Sequence, residues 1–143
     1  IDNKLHNFLY KFDNNNIKKL FKEFSNLSKE ISLRKKNWEI LYEKINSINY
    51  NKLTIHKIKN NSIPWRFNIF IKNRNFILKK LHEEGIDASS WHPLASKYLI
   101  NQSSNSEFKI AKEIDEHILN LWVNSSVDSK YFEKVFNLFN KFL

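Results

Sequence analysis

The 143 residues, 41% hydrophobic and 15% aromatic, carry enough apolar surface for the core of one domain, which excludes wholesale disorder. The formal charge of +9 (24 basic against 15 acidic residues) invites a polyanion-binding reading, but only Arg34, Arg66 and Arg74 offer the planar donor fork suited to phosphate, and the lysines are scattered among acids. Cysteine is absent and Gly85 is the one glycine, which excludes disulfides, Cys-ligated zinc, a thiol nucleophile, a P-loop and a dinucleotide-binding fingerprint.

Leu5, Phe8, Leu9, Tyr10 and Phe12 suit a short helix within residues 1–13, and Asp13 to Asn16 reads as a turn or a helix start. From Ile17 to about Ile48 the residues Leu20, Phe24, Leu27, Ile31, Trp38, Leu41, Tyr42 and Ile45 recur mostly every three or four positions, the period of a helix. This is either two helices broken near Asn26 to Ser28 or one long connecting helix. After a polar break over 46–51, Leu53 to Ile58 is a weak strand candidate and Asn60 to Ser62 a turn. Ile63 to Ile71 is a better strand, with Trp65, Phe67, Ile69 and Ile71 on one face and Arg66, Asn68 and Phe70 on the other.

Asn73 is placed to cap a helix reaching about Glu84, with Phe76, Ile77 and Leu81 as its buried stripe. Gly85 then closes a Schellman motif in which Ile86 packs back on Leu81, and a strand follows near Ile86 to His92, ended by Pro93. Residues 100–106 are a polar loop. A helix over about Glu107 to His117 turns Ile110, Ala111 and Ile114 inward, and Ile118 to Val123 is a short extended segment. Asp128 is the expected N-cap of the last helix, with Val127 and Phe132 as a hydrophobic staple and Phe132, Val135, Phe136, Phe139 and Phe142 as a wide apolar face.

No self-contained catalytic centre emerges. His6, His56, His82, His92 and His117 show no i, i+4 ligand pair, so no metal site is expected. Glu83-Glu84 and Asp115-Glu116 are adjacent in helices and point to different sides, unlike a catalytic dyad. Trp65-Arg66-Phe67 and Trp91-His92 are core or interface aromatics on one reading. On the other, Trp91 and His92 stand at a cleft mouth, where stacking and a titratable donor contact a ligand.

The run Ile63-Pro64-Trp65-Arg66-Phe67, then Arg74, then Leu81 to Ile86, then Ser90-Trp91-His92-Pro93-Leu94 resembles the C-terminal domain of DegT-type (StrS-like) sugar aminotransferases. Upstream, Leu27, Arg34 and Tyr42 resemble that family's connecting helix. Downstream, Ala111, Ile114 and Ile118-Leu119-Asn120-Leu121 resemble its ending. Trp122 stands where the family has proline, His92 where tyrosine is common, and residues 1–26 depart from the pattern.

The resemblance implies an α+β fold: a small, mostly antiparallel sheet of about three strands packed by helices, with residues 1–48 as N-terminal and connecting helices and 49–143 as the small domain. It implies a parent enzyme, homodimeric and using pyridoxal phosphate, that aminates a nucleotide-linked keto sugar for surface polysaccharide or related glycans. The cofactor lysine and phosphate contacts belong to a missing large domain of the same protein, so this chain alone is expected to bind no cofactor and to be inactive. By the same analogy Trp91 and His92 lie on the substrate side, while Gly85, Asn73 and Asp128 are structural. The N-terminus carries neither a signal-peptide core nor an initiator Met, and no apolar run approaches the ~18 residues of a membrane span, which suggests a cytoplasmic piece of something longer. The alternative is a basic, non-enzymatic module binding nucleic acid or an acidic protein partner, though the shortage of arginine speaks against nucleic acid.

Overall fold

The computed structural model describes residues 14–48, 50–51, 53–59, 61–90 and 109–143. The helix expected within 1–13, Trp91, His92, the stop at Pro93 and the polar loop at 100–106 lie outside these residues.

Helix α1 runs unbroken from Asn14 to Asn46, about 50 Å at 1.5 Å per residue. The polar stretch at 25–28 does not interrupt it, because its side chains bond back to the helix's own carbonyls. Ser25 Oγ donates to Lys22 O at 2.8 Å and Asn26 Nδ2 to the same oxygen at 3.1 Å. Only the second half of α1 enters the core, through Trp38, Leu41 and Ile45. Ile17, Leu20, Phe21, Phe24 and Leu27, on the same period, are exposed.

Four strands form one antiparallel sheet, one more than expected: β1 (Leu53–Ile55), β2 (Arg66–Ile71), β3 (Ala88–Ser89) and β4 (Ile118–Trp122), in the order β1-β2-β4-β3. β1 and β3 are both shorter than the sequence suggested. β2 and β3 each pair antiparallel with β4, so they run parallel to each other with β4 inserted between them. With helix α2 (Arg74–Glu83) they make a split β-α-β unit. Helix α3 (Lys109–His117) runs directly into β4, and α4 (Ser129–Phe142) closes the chain.

One face of the sheet is the core. Register sets Ile69 opposite Leu119 and Phe67 opposite Leu121, and all four are fully buried. Trp38, Leu41 and Ile45 of α1, Ile77 and Leu81 of α2, and Phe132, Val135, Leu138 and Phe139 of α4 belong to the same cluster. Asn37 ties α1 to the end of β4, donating from Nδ2 to Val123 O at 3.0 Å and to Asn124 O at 3.3 Å.

The end of α2 follows Schellman geometry: Ile86 N donates to Leu81 O at 2.8 Å and Gly85 N to His82 O at 3.0 Å. Gly85 has φ +70°, and a Cβ built there meets nothing within 4 Å. Gly85→Ala therefore loses stability through backbone strain alone, about 1 kcal/mol or ~3 °C in Tm by thermal denaturation. Asp128 accepts from Tyr131 N at 3.0 Å and caps α4.

Three expectations need correcting. Asn73 stands at the N-cap of α2 but makes no side-chain cap bond; its backbone, at φ −102° and ψ 35°, is not extended as a capping residue's is, and its Oδ1 is buried without a partner. Phe76 is exposed rather than part of the buried stripe, because α2 turns Arg74, Ile77 and Leu81 inward. Ile110, Ala111 and Ile114 are not inward either: α3 buries no residue and Ile110 is 74% exposed. Periodicity identifies an apolar face but not whether a neighbour covers it. Among the described residues no helix is long and apolar enough to cross a membrane.

Candidate functional site

The other face of the sheet mixes polar and aromatic side chains and, among the described residues, has less helical cover than the first. Strand alternation puts Arg66, Asn68 and Phe70 there from β2. Register sets them opposite Trp122, Asn120 and Ile118 of β4, with Ser89 of β3 beside Asn120. Asn120, almost wholly buried, donates from Nδ2 to Asn68 Oδ1 at 2.9 Å. α3 lies at the Phe70 end, where Phe70, His56, Ile110, Ile114 and His117 line a second groove.

At the other end the Arg66 guanidinium sits between two indoles. Its Cζ is 3.0 Å from the Trp122 ring centroid and 5.3 Å from that of Trp65. Trp122 is held by a short network. Its Nε1 donates to Asp87 Oδ2 at 2.6 Å, its backbone N donates to the Tyr131 hydroxyl at 3.1 Å, and that hydroxyl donates to Asp87 O at 3.2 Å. Arg34, itself bonded to Glu30, donates from Nη1 to Trp65 O at 3.0 Å. Burial lowers the Arg66 pKa, opposed by Asp87 and Tyr131 and assisted by Arg34.

Burial pushes the Tyr131 phenol up to about 12. In the unfolded chain it titrates near 10, so the native state holds this proton more tightly. The resulting stability is complete below pH 10 and is lost as pH rises through about 12. Tyr131→Phe is therefore expected to flatten the stability profile above pH 10 by up to ~1.4 kcal/mol per pH unit, measured by urea denaturation across that range.

Of the residues singled out in the sequence, Trp65 departs from its expected place. It precedes β2, so the pleat does not carry it inward, and it is 54% exposed. Trp91 and His92 lie outside the described residues. His82, which belongs to no metal-ligand pair, donates from Nε2 to Ala88 O at 2.8 Å and fastens α2 to β3. The Asn68–Asn120 pair and the Asp87–Trp122–Tyr131 network were missed. Their members lie 52 and 35 residues apart in sequence, and only the strand register, which a single sequence does not encode locally, unites them. Among the described residues no three His, Asp or Glu side chains gather as a metal site.

Solved structures share the fold. PseC of Helicobacter pylori, an aminotransferase involved in the biosynthesis of pseudoaminic acid, superposes with a TM-score of 0.71 at 15% identity, over 85% of this chain and 34% of that one. The fold is that of part of a DegT-type aminotransferase. A DegT DnrJ EryC1 StrS aminotransferase from Brucella abortus matches with a TM-score of 0.67 at 16% identity, over 86% of this chain and 34% of its own. GDP-4-keto-6-deoxy-D-mannose-3-dehydratase of E. coli, solved with bound hydrated PLP, gives 0.64 at 18% identity, over 83% and 33%. The chain thus spans about a third of the length of the structures it matches. Neither a protein-family model nor a curated protein matches the sequence.

Pyridoxal phosphate needs a desolvated lysine amine, an acid for its ring nitrogen and a backbone cup for its phosphate. The described residues do not fit it by themselves. Among them no lysine is buried, and Gly85 lies at the C-terminus of α2, where the helix dipole repels phosphate.

Proposed function

We propose that the chain is the smaller, C-terminal lobe of a pyridoxal-phosphate-dependent aminotransferase that acts on a nucleotide-linked keto sugar. The observation that carries this reading is the antiparallel sheet in the order β1-β2-β4-β3, helix-covered on one face, superposing on a third of several sugar aminotransferases. The cofactor and its lysine belong to a larger domain of the same protein, and the parent works as a homodimer. The polar face of the sheet, with Arg66, Asn68 and Asn120, is the wall this lobe turns toward the substrate. By the family resemblance, Trp91 and His92, which follow β3 in sequence, are further candidate substrate contacts.

The test is a polypeptide in which the coding sequence upstream of Ile1 supplies an α/β domain with a candidate cofactor lysine. That polypeptide should bind pyridoxal phosphate, seen as an absorbance band lost on mutating the lysine, and should transfer an amino group from glutamate to the keto sugar. This chain alone should do neither. An upstream frame without such a domain removes the proposal. In the active parent, His92→Ala is expected to raise KM or lower kcat by about tenfold or more with the fold unchanged; unaltered kinetics would remove His92 from the site.

A further inference from the structure

We infer that the cleft beside Arg66 is an oxyanion site, in which the guanidinium pairs with a carboxylate or phosphoryl group whose carrier lies along Trp65. The inference stands on the chemistry of the cleft wall. A hollow of about 230 Å³ is lined by Ser62, Ile63, Trp65, Arg66, Asn68 and Asn120 among others. Among the described residues that wall holds hydroxyl, amide and guanidinium donors and no carboxylate.

Among the described residues Arg66 has no hydrogen-bond partner for the inner edge of its guanidinium. Its Nε and Nη1 are shielded from water and make no hydrogen bond, and leaving a buried donor unsatisfied is costly, the more so when it is charged. The carboxylate closest in the network, on Asp87, is committed through Oδ2 to Trp122 Nε1. No hydrogen bond or ion pair joins it to Arg66 among the described residues. Stacking on Trp122 covers the flat face of the guanidinium and leaves its edge, where the N–H groups lie, as the only direction for bonding. Arg34, the other arginine near Trp65, is paired with Glu30 at 2.8 Å, whereas Asp87 acts on Arg66 only through space, so the guanidinium edge open at the cleft is that of Arg66. Trp65 and Ile63, both about half exposed, form an apolar rim on which a ring attached to the anion can lie.

Which source of oxyanion is taken rests on the function proposed above: the phosphoryl groups of a nucleotide-linked sugar, or the carboxylate of an amino donor. The site itself is tested on this chain by titrating tryptophan fluorescence at constant ionic strength with inorganic pyrophosphate, glutarate and chloride. Saturable change with pyrophosphate or glutarate, and none with chloride, is expected; the tighter of the two identifies the source. Arg66→Gln should weaken that binding by about tenfold or more, while Lys18→Gln, on the exposed half of α1, should leave it unchanged. If Arg66→Gln fails to fold by circular dichroism, Arg66→Lys, which keeps the charge and loses the fork, should still weaken binding several-fold. Equal binding by wild type and the Arg66 variants, equal loss in Lys18→Gln, or no saturable response would each overturn the site. A cofactor-bearing parent that transaminates while this chain binds neither anion would remove the site and keep the function. Anion binding without such a parent would do the reverse.

Discussion

Replacing Phe67 by alanine is expected to lower the unfolding free energy by about 3–5 kcal/mol. Phe67 is fully buried at the junction of three elements. On β2 it pairs with Leu121 of β4, and its ring lies 5.3 Å from that of Trp38 on α1. These neighbours are held by sheet register and a long helix, so the cavity left behind collapses little. Urea denaturation with an unchanged m-value measures the loss. Phe70→Ala, on the half-covered opposite face, should lose clearly less, and equal losses would mean that both sheet faces are core.

The second large effect concerns association. Ile17, Leu20, Phe24 and Leu27 follow a three-four spacing along the exposed half of α1, and Phe21, beside them, is 70% exposed. A contiguous apolar stripe of this kind binds something. Under the proposed function its natural cover is the larger domain. Without that domain, sedimentation of this chain should reveal association that grows with concentration. The double variant Phe21→Glu/Phe24→Glu should stay monomeric across the same range, with unfolding free energy within ~0.5 kcal/mol of wild type. A wild-type chain that is strictly monomeric at high concentration would contradict the stripe's role.

The sequence made the local elements legible where a few neighbouring residues determine them. Gly85 and Ile86 announced the end of α2, and Asp128 with Val127 and Phe132 announced the start of α4, because caps are contacts between residues three to five apart. It was less informative where distant partners decide. The apolar period of α1 runs from Ile17 to Ile45, yet of those apolar residues only Trp38, Leu41 and Ile45 are buried. Trp65 continues the alternation of β2 on paper, but the strand begins one residue later. The candidate site suffered most. Arg66 acquires its setting from Trp122 and Asp87, which reach it through a strand pairing and a tryptophan–carboxylate bond that no local pattern foretells.

The position of β4 carries a last consequence, for the order in which the molecule comes into being. The strand at the middle of the sheet is made from residues 118–122, after both of its neighbours. A nascent chain leaving the ribosome therefore presents β2 and β3 with a gap between them and unpaired edges on each side. The sheet closes only once residues 118–122 have been synthesised. Pairings over about fifty residues are slow to form, and any message truncated before residue 118 should yield a product that chaperones and proteases treat as unfinished.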